Sequence, residues 1–181
     1  RNMARIACTR FAVDGRAARI RVEMGAPHLV SKDIPFDDGT PRERIVDYPL
    51  WIHGKTYPVT VLSMGNPHCG LFFDAFPTRN EGLAIAREIE VHPFFPNRTN
   101  VEFIRVLSRG EIEVRFWERG VGETMASGSG SSAAAVAAIL KGLTDRKVAV
   151  RTAVGRIEVD WQEAGVVQSG PAEIVFEGRL L

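Results

Sequence analysis

Along most of this chain apolar residues recur at every second position or in short unbroken runs, with Gly, Pro or Asp between the runs. That spacing predicts strands over residues 4–12, 17–23, 57–62, 70–73, 101–107, 111–117, 148–153, 156–161 and 173–176. Two segments change to a helical period. Residues 83–90 set Leu83, Ile85, Ala86 and Ile89 on one broad apolar face, and residues 131–141 form an alanine-rich stretch with almost no polar face. A helix that is apolar all round has to be buried. The pattern therefore predicts an α+β fold, a long and mostly antiparallel sheet curling round one buried helix.

Composition narrows the function classes. With 181 residues, 45% of them hydrophobic and 25% charged, the chain can bury one sizeable core and a small second one. A net charge of +1 gives no reason to expect nucleic acid or a membrane surface as partner. No apolar run approaches the roughly 20 residues that cross a bilayer. Cys8 and Cys69 are too few for a disulfide framework, so a reducing cytoplasm is the expected location. No CxxC or HExxH spacing points to a metal. There is no internal repeat or low-complexity tract, and the loosest segment is 36–47, rich in Asp, Arg, Gly and Pro. The chain opens in mid-pattern without an initiating Met, which points to a piece of a longer protein; residues 1–24 show no apolar core or cleavage pattern of a secretory signal.

Three motifs carry candidate chemistry. The first runs from Glu118-Arg119-Gly120-Val121-Gly122-Glu123-Thr124 through Met125-Ala126-Ser127-Gly128-Ser129-Gly130 into the alanine-rich helix. A Gly/Ser turn feeding a helix lets an anion approach unpaired backbone N–H groups. The second, Ser63-Met64-Gly65-Asn66-Pro67-His68-Cys69, presents an amide and an imidazole around a proline at the head of a strand. The third is Phe95-Pro96-Asn97-Arg98-Thr99-Asn100-Val101-Glu102-Phe103, another amide before another strand. Singly, each reads equally well as a capped helix or a turn whose Asn bonds its own backbone. His28, His53 and His92 have no comparable company and are read as structural. Cys69, next to His68 on an alternating strand, faces away from it and is read, like Cys8, as a buried thiol. Phe94, Phe95, Phe103, Phe116, Trp117 and Trp161 are read as core and interface material.

In this order, the three motifs resemble those of the diaminopimelate epimerases, together with Met24-Gly25-Ala26-Pro27 near the start and Ser169-Gly170-Pro171-Ala172-Glu173 and Phe176-Glu177-Gly178 at the end. The resemblance implies a barrel-like half-molecule of mostly antiparallel strands around a central helix. Residues 1–24 would be remnant strands of a truncated amino-terminal half, and 25–181 the carboxy-terminal domain. It implies cofactor-independent inversion at the α-carbon of a small diamino diacid, LL- or meso-diaminopimelate, by two bases on opposite faces. The implied roles fall on Asn66 and Asn100, holding the distal end of the substrate; on Glu118 and Arg119, at its edge; on His68 and Glu118, as acid/base auxiliaries; and on Gly128 and Ser129, as backbone donors to the reacting carboxylate. Ser127 stands where the family pattern has its second cysteine, and the first would lie upstream of Arg1. An alcohol is a poor replacement for a thiolate. Two other readings stay open: an isomerase of the proline-racemase or phenazine-biosynthesis type, and an amino-acid-binding module without catalysis. Self-association to a homodimer through an uncovered sheet edge is a further expectation.

Overall fold

The computed structural model describes residues 7–13, 17–172 and 178–179. Its strands are β1 (Ala7–Val13), β2 (Ala17–Gly25), β3 (Ile45–Ile52), β4 (Lys55–Ser63), β5 (Pro67–Phe72), β6 (Asn100–Ser108), β7 (Glu111–Glu118), β8 (Gly122–Thr124), β9 (Lys147–Thr152), β10 (Gly155–Gln162) and β11 (Gly165–Ala172). The two α-helices are α1 (Arg79–Glu90), between β5 and β6, and α2 (Gly128–Leu140), between β8 and β9. All strands join one mixed sheet in the order β1-β2-β11-β10-β9-β7-β6-β5-β4-β3, with β8 paired to β7. Every pair is antiparallel except β5 with β6 and β7 with β9. Parallel neighbours need a long crossover, and each of these two pairs is bridged by a helix. The two helices are thus where the topology requires them.

Side-chain alternation divides the strands between two cores. Val59 and Val61 of β4, Cys69 and Leu71 of β5 and Val101 and Phe103 of β6 pack with Ile85, Ala86 and Ile89 of α1 and with Ile34, Phe36, Leu50, Ile52 and Phe95. The intervening positions Leu62 and Ile104 pack with Ala133–Ala138 of α2 and with Ile112, Val114, Phe116, Val148, Val150, Val159 and Val166. Gly130 to Ala138 of α2 are all buried. The helix touches β4, β5, β6, β7, β9 and β10. At Gly130 the helix lies so near the sheet that a Cβ would be 2.9 Å from the Phe116 ring and 3.0 Å from the Glu102 carboxylate.

The structure shifts several boundaries. Helix α1 starts at Arg79, one turn before its apolar face, because Thr78 and Glu81 cap it reciprocally. Helix α2 starts at Gly128, with Ser127 as its N-cap, so the Gly/Ser turn is its first turn. Strand β3 begins inside the segment read as loosest; Asp47 at φ 52° bulges it between Ile45 and Tyr48 and breaks the alternation. Strand β11 was not expected, and the strand expected over 173–176 lies outside the described residues. Among the described residues no helix is long and apolar enough to cross a membrane.

Gly130→Ala separates packing from propensity. On propensity alone alanine in a helix gains about 1 kcal/mol over glycine. The contacts with Phe116 and Glu102 reverse the sign, and the expected outcome is a loss of about 1–3 kcal/mol in chemical denaturation.

Candidate active site

The parallel register of β5 and β6 sets His68 beside Asn100 and Gly70 beside Glu102. His68 and Glu102 project toward α2, the side opposite Cys69, and both are essentially fully buried. The His68 Nδ1 lies 2.7 Å from Glu102 Oε1, and its Nε2 lies 3.0 Å from Asn66 Oδ1. Asn66 Nδ2 in turn donates to Ser129 Oγ at 3.4 Å. One polar chain therefore runs from the middle of β6 through the β4–β5 turn to the first turn of α2. The turn itself is held by Gly65 at φ +94°, whose N–H donates to Ser63 Oγ, and by the Met64 N–H donating to Asn66 O.

Asn100 links two of the motifs. Its Nδ2 donates to Pro67 O and its Oδ1 accepts from the Arg119 backbone N–H, each at 2.9 Å. The β7–β8 turn is anchored again by Glu90 of α1, which accepts from Gly120 N at 2.9 Å and from Trp117 Nε1 at 2.6 Å. Arg119 extends along the surface and donates to Asn97 O at 2.7 Å. Glu118, half-buried at the end of β7, is close enough to act on Glu102 electrostatically.

At the start of α2, Ser127 Oγ accepts from Gly130 N and Ser127 O accepts from Ser131 N. The N–H groups of Gly128 and Ser129 have no acceptor within a helix and remain available. Gln168 of β11 pins this turn by donating to Gly128 O and to Ser132 Oγ. Of the candidate residues, Asn66, His68 and Ser129 are joined directly, Asn100 and Arg119 meet across the turns, and Ser127 and Gly128 share a helix turn with Ser129. His53 instead faces Glu88 across 3.3 Å, His92 packs on Phe94, and His28 pairs with Ser63 through backbone alone.

Three residues that brace the candidate site escape a reading of the sequence. Glu102, Glu90 and Gln168 lie in strand or helix segments where a lone polar residue normally faces water. Only Glu102 leaves a signal, the period-two spacing from Asn100 on one strand. Burial pushes its carboxyl above the usual range; His68 opposes that shift and Glu118 adds to it. Burial also raises the Cys69 thiol, which suits a structural role.

A sequence profile described as diaminopimelate epimerase matches residues 60–175, spanning all three motifs. The chain belongs to the diaminopimelate epimerase family. It is 47% identical to the diaminopimelate epimerase of Moorella thermoacetica over 167 residues, 91% of this chain and 58% of that protein. It is also 47% identical to that of Pelotomaculum thermopropionicum over 170 residues, 92% of this chain and 59% of that protein. The chain thus spans less than two thirds of these epimerases. Among solved structures, a hydroxyproline epimerase from Agrobacterium vitis superimposes with a TM-score of 0.61 at 12% identity, covering 93% of this chain and 54% of the other, and so shares the fold.

Because Asn100 ties the β4–β5 turn to the β7–β8 turn, Asn100→Ala leaves Pro67 O and Arg119 N unpaired. A destabilisation of about 2–3 kcal/mol is expected. Amide exchange at Arg119 should quicken by more than the global loss explains, which native-state hydrogen exchange would read.

Proposed function

We propose that this chain provides one half of a cofactor-independent epimerase that inverts an α-carbon of diaminopimelate by two-base proton transfer. The observation that carries this reading is the polar chain from His68 through Asn66 to Ser129, which ends at a glycine-rich helix start inside a family whose relatives are named for that reaction. A carboxylate placed there meets the free N–H groups of Gly128 and Ser129 and the positive end of α2. Fixed dipoles of this kind stabilise the negative charge that develops when an α-proton leaves. With its Nδ2 on Ser129 Oγ, Asn66 serves in this reading the carboxylate at the helix start, and Asn100 supplies the amide at the far end of the substrate. Arg119 supplies a guanidinium for the second carboxylate, and Glu118 a carboxylate for the second ammonium.

His68 and Glu118 take in this reading the family's auxiliary roles in proton handling, without a hydrogen bond to Ser127 among the described residues. Ser127 occupies the place of one thiol, and its hydroxyl is engaged as a helix cap. With no adjacent base an alcohol does not ionise near neutrality, so the chain by itself binds substrate without inverting it. The second thiol belongs to an amino-terminal half, of which residues 1–24 are the remnant strands, and the sheet closes as a barrel round α2. The molecule works in the cytoplasm, and association of two copies covers the exposed edge. That Ser127 is a cap also favours a second reading, in which the protein only holds a diamino diacid.

Ser127→Cys tests the site. A thiol at the N-cap of a buried helix is expected to titrate below about 8.5, the unperturbed value, in thiolate absorbance read against the unsubstituted chain. Combined with an amino-terminal half carrying the other cysteine, this variant should exchange the α-proton of diaminopimelate for deuterium, whereas the unsubstituted chain should not. An acidic thiol without exchange would leave only the binding reading; a thiol at or above the unperturbed value would refute activation by the helix.

A further inference from the structure

His68 presents two ring nitrogens to two oxygens, Nδ1 to Glu102 and Nε2 to Asn66. The amide oxygen can only accept, so in this arrangement Nε2 carries a proton. Nδ1 then either accepts the proton of a carboxylic acid or is the second N–H of an imidazolium facing a carboxylate. Both states keep Nε2–H, and both leave the pair neutral as a whole. A neutral ring donating through Nδ1 would place a net negative charge in a dry site if Glu102 is ionised, and would leave the acid proton on the buried, partnerless Oε2 if it is not. Glu102 Oε2 has no hydrogen-bond partner there among the described residues, the Glu118 carboxylate approaches from β7, and α2 brings no titratable side chain, its nearest backbone being at Gly130. Cys69, on the other face of β5, stays a neutral thiol. The environment of Glu102 thus selects the ring tautomer.

We infer that Glu102 is a positioning residue that acts through the His68 ring on the Asn66 amide, holding Asn66 with Oδ1 inward and its Nδ2–H2 group toward Ser129 as a donor for a carboxylate. The chain of reasoning is geometric. If Nε2 lost its proton, the Asn66 amide would have to turn over to donate to it, and an oxygen would then face Ser129 and the helix start. An amide oxygen there repels the anion that the free N–H groups of Gly128 and Ser129 attract. A buried group on β6, one residue removed from the turn through His68, in this way sets the polarity of the turn's side chain. Glu102 touches no substrate in this scheme. The identity of the carboxylate ligand rests on the function proposed above; the link from Glu102 to His68 does not.

The test uses the 181-residue chain with nitrogen-15-labelled histidine and long-range proton–nitrogen spectra, with His68 assigned by its loss in His68→Gln. In the wild type Nε2 is expected at the protonated position. Glu102→Gln keeps the shape but offers Nδ1 either a donor or an acceptor, so the ring should sample both tautomers and Nε2 should move to an averaged position. Affinity for meso-diaminopimelate, measured by calorimetry, should fall about fivefold to tenfold. An unprotonated Nε2 in the wild type overturns the inference, and that spectrum decides the matter even if the variant does not fold. An unchanged His68 spectrum in a folded Glu102→Gln variant overturns it as well and reduces Glu102 to packing. The expected tautomers without any binding of meso-diaminopimelate support the link and remove the proposed substrate instead.

Discussion

Helix α2 has no side to give to water, and the rest of the molecule is arranged around that fact. From Gly130 to Ala138 every residue is buried, and no charged residue occurs anywhere in its length. Small side chains let six strands approach it, and at Gly130 the approach is limited by contact with Phe116 and Glu102 themselves. The start of the helix, exposed at Gly128 and half-buried at Ser129, carries unpaired N–H groups beside the β4–β5 turn, whose Asn66 reaches Ser129. The site is therefore a by-product of burying the helix: the same small residues that permit close packing leave the first turn uncovered by side chains.

Buried polar groups hold the surrounding turns by a consistent device. The buried Asn100 and Glu90 and the half-buried Gln168 each reach a backbone group in a turn or at the first residue of another element, respectively Arg119 and Pro67, Gly120, and Gly128. Loops that would otherwise wander are thereby fixed to strands and helices whose positions the cores determine. Each anchor leaves a costly unpaired partner if removed. Cys69 and His68 illustrate the division of labour along one strand: adjacent residues, one in the α1 core and the other in the polar chain.

How much of this could be read in the residues depended on periodicity. The strands near 101–107 and 111–117 and the core of α2 were legible because their apolar positions keep one period for a full element. Strand β3 was hidden by Asp47 and Pro49, and β11 by Ser169-Gly170-Pro171, since proline and glycine ordinarily mark strands as ending. The first turns of both helices lack apolar residues, so the hydrophobic pattern does not distinguish them from the preceding loops. For the site, the three motifs named Asn66, His68, Asn100 and Ser129, which the fold does bring together. Glu102 was passed over because a single carboxylate between Val101 and Phe103 looks like a residue on a solvated face, and nothing in one sequence shows that His68 arrives beside it from a parallel strand.

The sheet pairs β2 with β11, and the register runs without interruption from Glu23 opposite Val167 to Ala18 opposite Ala172. Nearly the whole sequence lies between those partners. A contact of such sequence separation closes a very large loop, so the entropy it costs can be met only after most of the intervening structure exists. Pairs such as β3–β4 and β6–β7, by contrast, are joined by short turns and can form early. Assembly of this domain should therefore proceed from its hairpins toward the β2–β11 seam, with that seam as the last interface to zip and the first to open under load.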